Sequence, residues 1–300
     1  MPDLSFLNEF TAGLAFPQEA REALSLAAWR IRREEDLRFR RILLPMQPQH
    51  DSRAYREAFS SALGELNALA EDLALPACTV NMVALIDLFR PLRELYRKEG
   101  LSDELYRSLA CDLRYKLLEC RDVYGLWGTF VPAWFSNHLA LDLFSLGRFQ
   151  YQPERLHRDL LFPDGRSVPA GSFMMRIHIP SDGRPLSDEL RLDSYRRAVR
   201  FFAGDIGGGP ALFTCESWLL YPAHREMLPD TMNIRRFMDD FTMLTGFEEE
   251  SFHDAWRVFG SASLLPLSEW PEDTTLRRAY VKRLREGGRS GRGEGFFLYE

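Results

Sequence analysis

Two short segments carry the side chains best suited to chemistry. In Ile177-His178-Ile179-Pro180 a histidine stands where an alternating apolar run meets proline. With an ordinary pKa of about 6.5, its ring can take up or release a proton near neutrality. A ring simply hydrogen-bonded in place at a strand end would leave the same trace. The second segment runs from Phe213 to Pro222. Extended, it puts Cys215 and Ser217 on one face and Glu216 and Trp218 on the other, with Tyr221 just beyond. Polar atoms on both faces are unusual for a central strand, because each buried polar group needs a partner. Cys215 and His178 could form a nucleophilic dyad. A free cysteine is also a common core residue, and Trp218 reads as packing.

Other signatures are missing. The sequence has no GxSxG elbow, no HExxH helix, no GxxxxGK[ST] phosphate loop and no GxGxxG turn after a strand. Cys78, Cys111, Cys120 and Cys215 lack CxxC spacing. Neither a metal site nor a disulfide framework is expected, and a reducing, cytoplasmic setting follows. The tract Gly287 to Gly293 offers backbone N–H groups and the guanidinium groups of Arg289 and Arg292 to a phosphate; it reads more readily as a mobile loop joining the last helix to the last strand.

The elements that must hold these residues fall into two textures. Up to Leu146 the chain reads as helices. Phe59, Leu63, Leu66, Leu69 and Leu73 form one apolar stripe, Met82, Leu85, Phe89 and Leu92 a second that Pro91 bends or ends, and Leu105, Leu109, Leu113 and Leu117 a third. Mixed-sign runs such as Arg30 to Asp36 are solvated helix faces. From Gly147 short strands alternate with helices. Strands are expected at 147–152, from Phe173 to Ile179, from Leu212 to Leu219, from Trp256 to Ser261 and from Gly295 to Tyr299. Phe173, Met175, Ile177 and Ile179 share one face, and Met174, Arg176 and His178 the other. Asp193 or Ser194 is read as the cap of a helix carrying Tyr195, Ala198 and Phe202, Asn233 as the cap of the next, and 274–285 as a third helix. A helical domain over 1–146 and a mixed α/β sheet domain over 147–300 follow.

Bulk properties agree. A chain of 300 residues, 45% hydrophobic and 27% charged, is globular and accommodates two domains. A net charge of −6 argues against a nucleic-acid binder, since that affinity comes from neutralised phosphates. The first ten residues lack a basic region and an uninterrupted apolar run, so no secretory signal is expected. Residues 126–146 come nearest to a membrane span, but Pro132, Asn137, His138 and Asp142 interrupt them, and the stretch reads as core.

With these segments in view, the chain resembles a bacterial acyltransferase family with a helical N-terminal domain and a GNAT-like C-terminal domain. The likeness rests on Leu146 to Tyr151, Ile177 to Pro180 with Gly183, Pro185 and Leu186, and Ser194 with Ala198, Phe201 and Phe202. It continues through Cys215 to Leu220 with Pro222, Leu228 with Pro229, and Asn233 and Ile234 with Phe237 and Phe241. The sequence departs at Phe149 and Met232, where leucine and serine are expected, and the GNAT pyrophosphate loop is absent after Pro180.

The resemblance implies two neighbouring parallel strands that splay to admit an acyl thioester. Ile177, Ile179, Ser181 and Gly183 would then line one wall for the donor's pantetheine, with Trp218 on the other. The donor is acyl-CoA or acyl carrier protein, a co-substrate rather than a bound cofactor, and the acceptor is an amine. His178 or Glu216 is the expected base, and Cys215, Ser217 or Tyr221 the proton donor or oxyanion ligand. The alternatives are a non-catalytic module that binds acyl-CoA or a partner in the same cleft, and a thiol hydrolase built on Cys215. Acceptor, acyl length and oligomeric state leave no mark in the sequence.

Overall fold

The computed structural model describes residues 3–300. The chain divides into two compact units, one ending at Phe144 and the other beginning at Ser145.

The first unit is helical: α1 (Leu4–Gly13), α2 (Gln18–Glu34), α3 (Asp36–Leu43), α4 (Arg53–Asp72), α5 (Ala77–Lys98), α6 (Asp103–Tyr124) and the single turn α7 (Ser136–Leu139). Local chemistry sets the ends. The hydroxyls of Ser52 and Ser102 accept the N–H groups of Tyr55 and Leu105, capping α4 and α6, and Gly125 closes α6 at a φ of +71°. Pro91 does not end its helix. It costs one N–H bond, and buried Leu88, Phe89, Leu92 and Tyr96 on both sides hold α5 together. Within 126–146, Phe135, Leu139 and Leu143 are fully buried. His138 joins them because its Nε2 lies 3.0 Å from the buried carboxylate of Asp112, which also accepts from the Trp134 indole. Among the described residues no helix is long and apolar enough to cross a membrane.

The second unit is a six-stranded mixed sheet in the order β1-β2-β5-β6-β8-β7, with a separate β3-β4 pair. The strands are β1 (Phe144–Leu146), β2 (Phe149–Arg155), β3 (Leu160–Leu161), β4 (Ser167–Val168), β5 (Phe173–His178), β6 (Ala211–Ser217), β7 (Thr242–Glu249) and β8 (Ser290–Tyr299). Between them lie α8 (Asp188–Phe201), α9 (Ala203–Ile206), α10 (His224–Met227), α11 (Asn233–Asp239), α12 (Ala255–Phe259) and α13 (Thr275–Arg285). Tyr195 of α8 packs on Phe149, Phe213 and Phe297, which puts that helix on one face of the sheet.

Several local expectations change. Helix α8 begins five residues before Asp193, so Ser194 lies within it and its hydroxyl turns to the sheet, donating to the carbonyl of Leu146 at 2.6 Å. The expected strand from Trp256 to Ser261 is helix α12 and a 3-10 turn, because Ala255, Val258 and Phe259 bury at helical spacing against Tyr280 and Val281. Trp218 lies past the end of β6, in a 3-10 turn. Strand β7 had no alternating signal, since as an edge strand it is exposed along much of its length. The glycine tract is not a loop throughout. From Ser290 it is strand β8, and a side chain at Gly291, Gly293 or Gly295 would collide with Tyr221, Leu220 or Phe241.

Candidate active site

Strands β5 and β6 run parallel but pair only briefly. Their register joins Met175 to Phe213 and Arg176 to Thr214, and stops there. Each strand continues: β5 stays paired with β2 up to Gln150↔His178, and β6 with β8 up to Ser217↔Gly293. The two strands share no pairing beyond Arg176 and Thr214, and none before Met175 and Phe213. Past Arg176 and Thr214, backbone groups of Ile177, His178, Cys215, Glu216 and Ser217 lack a mutual ladder between the two strands.

Alternation decides which side chains face which way. The register places Gln152, Glu154, Arg176, His178, Thr214, Glu216 and Glu294 on one face, and Tyr151, Met175, Ile177, Phe213, Cys215 and Ser217 on the other, which α8 covers. The candidates thus separate: His178 and Glu216 stand on the polar face, Cys215 and Ser217 behind it.

On the polar face His178 Nε2 lies 3.1 Å from Gln152 Oε1. The amide oxygen can only accept, so Nε2–H donates, and a neutral ring then carries its lone pair on Nδ1. Arg176 grips Glu154 through two hydrogen bonds of 2.8 and 2.9 Å, which raise its pKa further against the opposing effect of burial. Glu216 stands directly across from Glu294, an arrangement of like charges that Arg176 and Arg292 compensate; Arg292 lies 3.5 Å from Glu216 and 2.9 Å from Glu249.

Behind the sheet the chemistry is quieter. Cys215 is fully buried, and burial pushes its thiol far up, so it stays protonated and is a poor nucleophile. Ser217 Oγ accepts the N–H of Leu219 at 3.1 Å and shapes the turn after β6. The Tyr221 hydroxyl donates to Glu248 or the Arg289 carbonyl and accepts from Arg283; burial raises its pKa. Trp218 packs on the rings of His224 and Tyr280.

After β5 the chain does not form an anion cradle. Asp182 pairs with Arg148 at 3.4 Å and Arg184 at 2.6 Å, and Arg148 also donates to the Pro180 carbonyl. Ser181 is exposed, and Gly183, at a φ of +79°, turns the chain. Among the described residues no group of three or more His, Cys, Asp or Glu is placed to hold a metal ion.

Sequence reasoning missed Thr214 and Glu294. The signal for Thr214 was its place one residue before Cys215, on the Arg176 face; nothing local marked Glu294, which earns its place only through pairing with Glu216.

The sequence matches a model of the GNAT-like C-terminal domain over residues 143–297 and a model of the N-acyltransferase N-terminal domain over residues 5–141. The chain belongs to the GNAT-like N-acyltransferase family. Solved acyltransferases share the fold. One, in complex with decanoyl-CoA and teicoplanin, superposes with a TM-score of 0.67 at 19% identity over 97% of this chain and 87% of its own. A mutant acyltransferase in complex with octanoyl-CoA gives 0.69 at 20% identity, with the same 97% and 87% covered. An acyltransferase in complex with decanoyl-CoA gives 0.62 at 20% identity, over 98% and 99%. No curated protein matches the sequence. In this acyltransferase, β5 and β6 are neighbouring parallel strands whose pairing ends at Arg176 and Thr214.

Proposed function

We propose that the acyltransferase binds acyl-CoA between the parted ends of β5 and β6 and transfers its acyl group to an amine arriving on the face of His178 and Glu216. The observation that carries this is the end of β5-β6 pairing at Arg176 and Thr214, which leaves backbone groups of both strands for a pantetheine arm. The amine nitrogen attacks the thioester carbon, the C–N bond forms as the C–S bond breaks, and the amine's proton passes to the departing sulfur. The products are an amide and free CoA. His178 would take that proton directly or through water, with Glu216 as the second candidate. Ile177, Ile179, Ser181 and Gly183 would follow the pantetheine along one wall, with Cys215, Ser217 and Trp218 behind the other. Tyr221, engaged with Glu248 and Arg283, would steady that second wall.

The test is direct. The protein is mixed with acyl-CoAs from acetyl to dodecanoyl and a panel of amines, and thiol release and amide mass are followed. Amide formation supports transfer; isothermal titration that detects binding while every thioester stays intact favours the non-catalytic module instead.

The segment after β5 supports a second donor. Ion pairs occupy it, and α8 opens with Asp188 and Glu189, which repel phosphate at a helix N-terminus. Acyl carrier protein presents pantetheine without free CoA's diphosphate, so faster transfer from it than from the matching acyl-CoA would favour that donor.

A further inference from the structure

A cavity of ≈ 150 Å³ lies on the Arg176 face of the sheet, beside the last paired residues of β5 and β6. The last paired residues, Arg176 and Thr214, both line it. Leu156, Leu160, Met174, Leu244 and Phe296 supply its hydrocarbon wall, and His157, Arg158 and Glu294 add polar and charged groups beside Arg176 and Thr214. Leu156 and Leu160 bring the β3 segment over the sheet, packing with Met174 and Phe296 in a cluster that also holds Phe162 and Leu212. A hollow that combines apolar side chains with convergent polar groups is the usual form of a small-ligand site.

One polar group there has no partner. Thr214 is 7% exposed, and among the described residues its Oγ1 is buried without a hydrogen bond. A buried hydroxyl left unpaired is unfavourable, and such groups in native proteins call for a ligand or water to complete them. Here the hydroxyl belongs to the residue at which a ligand threaded between the two strands would reach the polar face.

We infer that this cavity holds the acyl chain of the donor, with the Thr214 hydroxyl donating to the thioester carbonyl oxygen at its mouth. The inference rests on the acyl-donor reading above and adds to it the acyl pocket and the group that answers the oxyanion. Leu156, Leu160, Met174, Leu244 and Phe296 then set chain length, each buried methylene tightening binding roughly fourfold until the cavity is full. The negative charge that develops on the carbonyl oxygen during attack falls on the Thr214 O–H, with Arg176 nearby in the same wall.

The experiment is a chain-length series, acetyl- to dodecanoyl-CoA, run on the wild type and on Leu160→Trp, Leu244→Ala, Thr214→Val and Thr214→Ser. Leu160→Trp fills the cavity and should move the preferred donor to shorter chains; Leu244→Ala enlarges it and should move the preference to longer ones. If Leu160→Trp does not fold, judged by its circular-dichroism melt, Leu244→Ala carries the comparison. Thr214→Val keeps the shape and removes the hydroxyl, so kcat should fall roughly a hundredfold with KM little changed, and Thr214→Ser should restore it. Chain-length profiles that superpose on the wild type overturn the pocket, and unchanged kcat in Thr214→Val overturns the oxyanion contact. Should the wild type consume no acyl-CoA with any amine, the donor reading itself falls, a result distinct from either.

Discussion

The hydroxyls of Ser194 and Tyr151 lie 2.8 Å apart in the core of the second unit, where α8 meets β2. Ser194 also donates to the Leu146 carbonyl and accepts the Phe149 N–H, so one side chain ties a helix to the start of a strand. That tie fixes β2, which in turn holds β5 and its His178 in register.

Ser194→Ala leaves the Phe149 N–H and the Tyr151 hydroxyl buried without their partner. The expected loss is about 2–3 kcal/mol of stability in urea denaturation. Ser194→Ala with Tyr151→Phe should lose less than the sum of the two single changes, because one orphaned hydroxyl is removed. Additive losses would show that the two side chains do not share an interaction.

Two glycines should respond in opposite directions. Gly293 lies in β8 against the backbone of Leu220, so Gly293→Ala must displace main chain and should cost about 3 kcal/mol. Gly64 sits exposed inside α4 with open space around it, and Gly64→Ala should stabilise by about 0.5–1 kcal/mol. Thermal melts of both variants check this contrast.

His224 makes the fold sensitive to acid. Its Nε2 accepts from the Tyr280 hydroxyl at 2.8 Å and its Nδ1–H donates to the Leu219 carbonyl at 3.3 Å, an arrangement that needs the neutral ring. Burial lowers its pKa from the usual 6.5 to about 4. Between those values the unfolded chain binds a proton that the folded chain does not, so stability falls as pH drops from about 6.5 to about 4 and then levels off. The loss is roughly 3 kcal/mol. His224→Gln should flatten that part of the profile; an unchanged slope would assign the acid sensitivity to other groups.

Activity should separate the two faces of the sheet. His178→Gln is expected to lower kcat by roughly a hundredfold or more and to remove an acidic limb of the rate profile. Cys215→Ser should leave that limb in place, since the buried thiol does not ionise in the working range. Rates measured from mildly acidic to mildly basic pH decide it, and a Cys215→Ser variant that loses the limb would reverse the assignment.

Much of the architecture was legible in the sequence because helices and inner strands write their burial into local periodicity. The stripes of α4 and α6, and the alternation of Met174, Arg176 and His178 against Met175 and Ile177, needed only the periods of helix and strand. Edge and irregular elements left weaker marks. Strand β7 is largely exposed, α12 is five residues long, and the β8 glycines resemble a loop until Leu220, Tyr221 and Phe241 are seen against them. His178 and Glu216 were visible as polar residues where strands end. Their sharing a face, the parting of β5 from β6 beyond Arg176 and Thr214, and the approach of Glu294 from the last strand are relations between segments far apart in sequence. Local pattern carries which way a side chain points along its own strand. Only pairing across the sheet sets which distant side chain lies beside it, and that pairing brought Arg176, Thr214 and Glu294 to one face.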